Sequence, residues 1–98
     1  MIDIELKGKD TKFENIIPSL DGKTYNFKFR WDASRTNSWY LKIGEVQTEF
    51  KLVCGIDILR QWHHLDLPVG ELRLVPVEKP VDKPDFDALG DTVRLVYV

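Results

Sequence analysis

The strongest constraint in this sequence is a run of alternating side chains that follows an Asp-Gly pair. From residue 25 to residue 32, aromatic side chains at every second position are separated by polar or charged side chains. A period of two with β-favouring aromatic residues indicates a strand that buries one face, and it disfavours a helix. Asp21-Gly22 supplies the positive φ angles of a type I′ turn, so residues 16–20 and 23–31 are predicted to pair as a hairpin.

Further strands are predicted along the rest of the chain. Residues 39–43 resume the alternation after a polar run at 32–38 that is typical of an exposed hairpin loop. Residues 48–53 alternate again, and residues 71–77 and 91–98 are rich in the aliphatic residues that strands favour. Because the last of these strands runs to the final residue, the C-terminus is expected to dock into a sheet or an interface.

Other segments are less regular. The apolar positions of residues 55–67 fit both helical and strand spacing, so strand, loop and helix stay open there, and we favour an extended segment that ends in an irregular loop at 68–70. Pro76 places its strand at a sheet edge or a bulge. Residues 78–85 are charged and proline-containing, which indicates a surface connection, and residues 86–89 are predicted to form one short helical turn.

These elements predict a single all-β domain that covers residues 1–98. Six to eight short strands at roughly ten-residue spacing are typical of a small antiparallel β-barrel or sandwich. A chain of 98 residues has room for one core. The N-terminus lacks the pattern of a signal peptide, and no apolar run approaches the roughly 20 residues of a membrane span. We therefore expect synthesis in a cytoplasm and no membrane-spanning segment.

The charge balance argues against nucleic acid as a partner. The chain has 14 basic and 16 acidic residues and a net charge of −2, whereas nucleic-acid binders usually need a basic excess. Aromatic stripes also occur in barrels that bind single strands, but Lys28 and Arg30 point away from the aromatic face of their strand. Core packing is the better explanation of these aromatic residues, and a single-stranded nucleic-acid-binding barrel stays as a second alternative.

No residue pattern indicates catalysis, a cofactor or a metal. His63 and His64 are adjacent, so on a strand they would point to opposite faces, and no ligand stands at zinc-site spacing. The single cysteine, Cys54, lies in an apolar run and is predicted to be a buried, inert thiol. The aspartates near the C-terminus follow prolines and are expected to form a solvated acidic surface. We therefore expect a binding protein, not an enzyme, that uses β edges and a docked terminus.

Three blocks of the sequence together resemble the phage baseplate plug family. The first is Leu20–Tyr25 followed by Phe27–Trp31 and residues 39–41; the second is residues 55–61 with 67–72; the third is the ending at residues 86–98. The likeness covers nearly the whole chain in the same order. The sequence departs from the family pattern at Cys54 and at residues 61–64.

This resemblance implies a structural component of a contractile-tailed phage virion that is made in the host bacterial cytoplasm. It implies a position where the tail tube meets the hub, with hub, tube-end or tube-initiator proteins as partners and copies of the chain in a symmetric ring as a further option. The implied mechanism is β-edge pairing and shape complementarity, with the docked terminus released or rearranged when the tail fires. The alternative is a small binding module such as an assembly chaperone or a host-factor inhibitor. The residues predicted to contact partners are Arg60, Gln61, Trp62, His63, His64, Arg94, Val96 and Val98.

Overall fold

In the computed structural model, which describes residues 2–20, 22–60, 67–68 and 70–98, seven strands build the fold. Every pair of neighbouring strands within a sheet runs antiparallel. The strand count agrees with the predicted all-β class. In chain order the strands are β1 (Ile2–Ile4), β2 (Lys12–Leu20), β3 (Lys23–Asp32), β4 (Ser38–Ile43), β5 (Phe50–Lys51), β6 (Leu72–Pro76) and β7 (Val93–Tyr97).

The strands form two separate sheets. One sheet has four strands in the order β2-β3-β4-β5, and the other has three in the order β1-β7-β6. No hydrogen-bonded strand pair joins the two sheets within the described residues, so the fold is a sandwich and not a closed barrel. Pro76 ends β6, an edge strand, as predicted from its missing N–H group.

Side chains from both sheets meet in one core. The four-stranded sheet contributes Phe27, Trp39 and Leu41, all fully buried, because alternation along β3 and β4 turns every second side chain inward. Aromatic contacts tie the core together: the Phe13 and Phe29 rings stack with centroids 4.8 Å apart, and the Trp39 and Phe86 rings stack at 5.4 Å. The aromatic face predicted from the sequence is therefore the core face.

The predicted hairpin is the connection between β2 and β3. Leu20 pairs with Lys23, and Gly22 has a φ of +76°. Asp21 lies outside the described residues. Strand β2, the first strand of this hairpin, begins at Lys12, four residues before its predicted start. The register of β2 against β3 shifts after Ile17, where the backbone of β2 is irregular.

The segment after β4 departs from the prediction. Only Phe50–Lys51 of the predicted strand at 48–53 pairs as a strand. Residues 55–60 form turns and a bend, so the extended segment that we favoured for 55–67 is wrong over 55–60, and residues 61–66 lie outside the described residues. The cause is Asp57, whose buried carboxylate accepts hydrogen bonds from the backbone N–H groups of Leu59 and Leu72, each at 3.1 Å. These bonds hold the turn against β6, so the chain does not continue as an extended segment after β5.

The predicted helical turn is a set of hydrogen-bonded turns. The Asp85 carboxylate accepts the Ala88 N–H at 2.9 Å, which is the bond of a helix N-cap, and Gly90 follows with a φ of +82°. The N–H groups of Asp91 and Val93 both bond to the Ala88 carbonyl, so the chain turns into β7 at once. The described part of the chain contains no helix.

Candidate partner interface

The C-terminal strand β7 is the middle strand of its sheet. It pairs with β1 along one edge and with β6 along the other, and Val98 continues the second ladder through two backbone hydrogen bonds with Glu71. The expected docking of the C-terminus is therefore docking into the chain's own sheet. Since both edges of β7 are occupied, this strand can meet another protein only through its outward side chains.

The three predicted interface residues of this segment share the outer face of the three-stranded sheet. Arg94 pairs with Asp3 on β1, its Nη2 lying 3.2 Å from an Asp3 carboxylate oxygen. Val96 lies between Asp3 and Arg73 in the register and is 7% exposed, so its neighbours cover most of it. Val98 is 57% exposed at the end of the strand.

Two further valines widen this apolar surface. Val75 lies opposite Arg94 in the register and is 40% exposed, and Val77, bonded to Thr92, is 58% exposed. We call Val75, Val77 and Val98 the valine face. Because residues 74–77 are all apolar, no alternation in the sequence marked Val75 and Val77 as the outward side of their strand.

Arg60 lies apart from the valine face along the chain. It is exposed and ends the turn that Asp57 organises, with its N–H bonded to the Asp57 carbonyl at 3.3 Å. The same turn is bonded to the edge of β6 through the Ile58 N–H and the Leu72 carbonyl at 2.8 Å. The other four predicted contact residues, Gln61, Trp62, His63 and His64, lie outside the described residues.

Sequence reasoning missed two open strand edges. β1 and β2 are edge strands of different sheets, and a groove of about 320 Å³ lies between them, lined by Ile2, Ile16 and Pro18 among others. Ile16 is 72% exposed. At one end the groove is bridged by the Asn15 side chain, whose amide accepts from the Lys7 N–H and donates to the Lys7 carbonyl. The polar-apolar-polar order of residues 12–14 could have extended the predicted strand to Lys12, but no local pattern marks a strand as an edge.

The sequence placed Lys28 and Arg30 on the outer side of β3, but it did not indicate the charged surface that the four-stranded sheet forms around them. Arg30 forms an ion pair with Glu49, Nε to Oε2, at 3.0 Å, and its guanidinium lies 4.7 Å from the centre of the Tyr40 ring. Hydrogen bonding to Glu49 raises the pKa of Arg30, and the same bond holds the pKa of Glu49 below its usual range. A shallow depression of about 310 Å³ lies on this face.

The arrangement offers no assembled chemical site in the part of the chain that the structure describes. No group of three or more His, Cys, Asp or Glu side chains is placed to hold a metal ion there. Burial raises the pKa of the Cys54 thiol, and nearby Asp82 raises it further, which is the opposite of what a reactive cysteine needs. A search of the same residues for a helix able to cross a membrane finds none.

Comparison with known proteins identifies the family that the three blocks of the sequence resemble. The family model described as cyanophage baseplate Pam3 plug gp18 matches residues 1–98 of the chain. No curated protein and no solved structure gives a significant match. The matched range contains both sheets, the valine face and the open edges, and it confirms the resemblance. The chain belongs to the phage baseplate plug family represented by that cyanophage protein.

Proposed function

We propose that this chain joins or closes the junction between the tail tube and the hub of a contractile phage tail, and that it does so by protein–protein contacts. The observation that carries the proposal is the match of the plug family over residues 1–98. The family is a structural one, not a class of enzymes, and a baseplate plug interacts with other baseplate proteins. The position of the chain at this junction and the identity of the neighbouring proteins are what we propose.

The described surface supports binding through side-chain faces and open edges. The valine face offers apolar contact area beside the Arg94–Asp3 ion pair, a combination that suits a protein interface. At the edge of the four-stranded sheet, β2 has no strand partner on its outer side within the described residues. In an antiparallel ladder alternate residues turn their backbone groups outward, and for β2 these are Lys12, Glu14 and Ile16. A neighbour could add a strand at that edge.

The position of β7 favours docking as a rigid body over release of the C-terminus. Removing β7 from its sheet would break both of its ladders and expose Val93, Leu95 and Tyr97, which are buried in the core. Each large apolar side chain brought from the core to water costs about 1.5–3 kcal/mol. We therefore propose that the chain keeps its fold when the tail fires and that its contacts with neighbours change.

The experiment is quantitative mass spectrometry of purified tails from the phage that encodes this chain. We expect the chain in intact tails at a low copy number that matches the symmetry of the baseplate. Tails from a phage deleted for this chain should be defective at the junction of tube and hub when imaged by electron microscopy.

The same measurement separates the proposal from its main alternative. An assembly chaperone or a host-factor inhibitor would be present in infected cells and absent from finished tails. Absence of the chain from intact, purified tails would therefore contradict the proposal and favour that alternative.

A further inference from the structure

The outer face of the four-stranded sheet carries an excess of positive charge on a chain whose net charge is negative. Alternation along the strands places five basic and three acidic side chains there, an excess of two positive charges, while the whole chain has a net charge of −2. We call this surface the basic face. Its charged residues are Lys12, Lys28, Arg30, Lys42 and Lys51, with Glu14, Asp32 and Glu49.

The basic face places like charges directly opposite one another. Lys28 pairs with Lys42 across β3 and β4, and Lys12 pairs with Arg30 across β2 and β3. Directly opposed like charges destabilise a sheet by up to about 1 kcal/mol relative to a favourable pair. A sheet that only had to fold would gain from alternating the signs, so the pattern indicates a requirement beyond folding.

The three acidic side chains offset the five basic ones only in part. After Arg30, Lys42 also lowers the pKa of Glu49. The Asp32 carboxylate accepts hydrogen bonds from the N–H groups of Ser34 and Arg35. Glu49 is bonded to the Arg30 guanidinium through both carboxylate oxygens. Glu14 lies opposite Lys28 in the register, but its carboxylate accepts a hydrogen bond from the Asn26 side-chain amide at 3.3 Å. Within the described residues, neither Lys28 nor Lys42 forms an ion pair.

The other outer face of the molecule shows the contrasting arrangement. On the three-stranded sheet Arg94 pairs with Asp3 at 3.2 Å, and Arg73 pairs with Glu71 at 3.1 Å. Basic and acidic side chains are therefore matched within that face. Of the two outer faces, as far as the described residues form them, the basic face is the one with an excess of one sign, which makes it the surface that an oppositely charged partner would complete.

We propose that the basic face docks onto an acidic, Asp- and Glu-rich surface of a neighbouring baseplate protein, with Lys28 and Lys42 at the centre of the contact. This inference rests on the proposed function and adds which face binds and what chemistry it meets. Complementary charge steers association and fixes the orientation of docking. Carboxylates placed between the two lysines would also remove the repulsion that the free chain carries.

An acidic protein fits the basic face better than nucleic acid does. Single strands bind to basic sheets by stacking bases on exposed aromatic rings, but the aromatic side chains of β3 face the core and the Tyr40 ring is covered by Arg30. Glu14 and Glu49 would repel phosphates. A protein surface can instead offer hydrogen-bond donors to these carboxylates beside its own acidic groups.

The test is a competition between wild-type chain and the double variant Lys28→Gln, Lys42→Gln during assembly. Both chains are expressed at equal levels in cells infected by a phage deleted for this chain, and their ratio in purified tails is measured by mass spectrometry. We expect the variant to be under-represented about tenfold, because two central charges are lost from the contact. The purified variant should melt at or above the wild-type temperature, because the opposed lysines no longer repel.

The matched control is Arg35→Gln, Lys79→Gln, which removes the same charge from exposed positions outside the strands that form the basic face. It should enter tails as well as wild type does. Equal incorporation of the Lys28 and Lys42 variant would overturn this inference and leave the proposed function standing. Absence of the wild-type chain from tails would overturn both.

Measurements on the isolated wild-type chain test two other possible partners of the basic face. Salt-sensitive binding to a single-stranded oligonucleotide that the double variant loses would assign the basic face to nucleic acid. Self-association in analytical ultracentrifugation that the double variant loses would assign it to a second copy. Either result would contradict the acidic-protein proposal.

Discussion

Asp57 is the residue whose side chain does most to shape the backbone around it. It is buried, and its carboxylate accepts hydrogen bonds from the N–H groups of Leu59 and Leu72, so one oxygen atom joins a turn to the start of β6. A buried backbone N–H group without a partner costs about 1–3 kcal/mol. The local fold of residues 57–60 therefore depends on this one acceptor.

We predict that Asp57→Ala lowers the free energy of unfolding by about 2–4 kcal/mol, because two buried donors lose their partner. Asp57→Asn keeps an acceptor oxygen of the same shape and should cost clearly less. Urea denaturation of the purified chains measures both values. Equal losses for the two variants would contradict the role of the oxygen as the shared acceptor.

Cys54 gives the chain a pH dependence at the alkaline end. Burial raises the pKa of its thiol, with a further contribution from Asp82. The folded thiol therefore stays neutral at a pH where the unfolded thiol ionises, so stability falls as pH rises above the ordinary thiol value of about 8.5. We predict that this fall is smaller in Cys54→Ala, measured as the difference between the two chains in urea denaturation at pH 7 and pH 10.

Among the elements, the hairpin of β2 and β3 is the one that the sequence specifies most directly. Its two-residue connection requires positive φ, and Gly22 adopts +76° without steric cost. We predict that Gly22→Ala destabilises the fold by about 1–2 kcal/mol, since alanine is strained in this conformation. Gly22→Asn should cost less because asparagine tolerates left-handed backbone, and thermal unfolding of both variants followed by circular dichroism tests the difference.

β7 is the element on which the smaller sheet depends. It is the middle strand, and three of its side chains lie in the core. We predict that deleting residues 92–98 abolishes the folded state, which nuclear magnetic resonance of the purified chain would show as a collapse of amide dispersion. A truncated chain that keeps native dispersion would contradict this dependence. Loss of assembly by the truncated chain alone would reveal nothing about contacts with partners.

Elements that depend on local patterns can be predicted from the sequence. Elements that depend on contacts between distant residues cannot. Alternation and a turn dipeptide are local, so β3, β4 and the first hairpin follow from them. The turn at residues 55–60 depends on the bond between Asp57 and Leu72, fifteen residues away, which no local pattern encodes. The valine face could not be predicted for the same reason, because the side of a strand that points outward is known only when its sheet is known.

For the whole molecule, the two outer faces differ in character. The basic face carries a net positive charge, whereas the valine face is apolar and lies beside matched ion pairs. They belong to different sheets of one sandwich, so the two faces point away from each other. A molecule that joins two parts of an assembly needs two such surfaces, and faces of different chemistry would fix which neighbour meets which side.

The valine face can be tested apart from stability. Val77 and Val98 are 58% and 57% exposed, and neither belongs to the core, so Val77→Asp and Val98→Asp should each change the free energy of unfolding by no more than about 0.5 kcal/mol. If the face contacts a neighbour, a buried carboxylate would be left there without a partner. We therefore predict that both variants are under-represented in tails when they compete with wild type.

The control for this prediction is Ala33→Asp, which adds the same charge at an exposed position in the connection between β3 and β4. It should be incorporated normally, because the charge is added away from both faces. Normal incorporation of Val77→Asp and Val98→Asp would show that the valine face is not an interface. If only Val98→Asp were excluded from tails, the contact would be confined to the end of β7 near Glu71, and the predicted role of the C-terminal strand would reduce to its last residue.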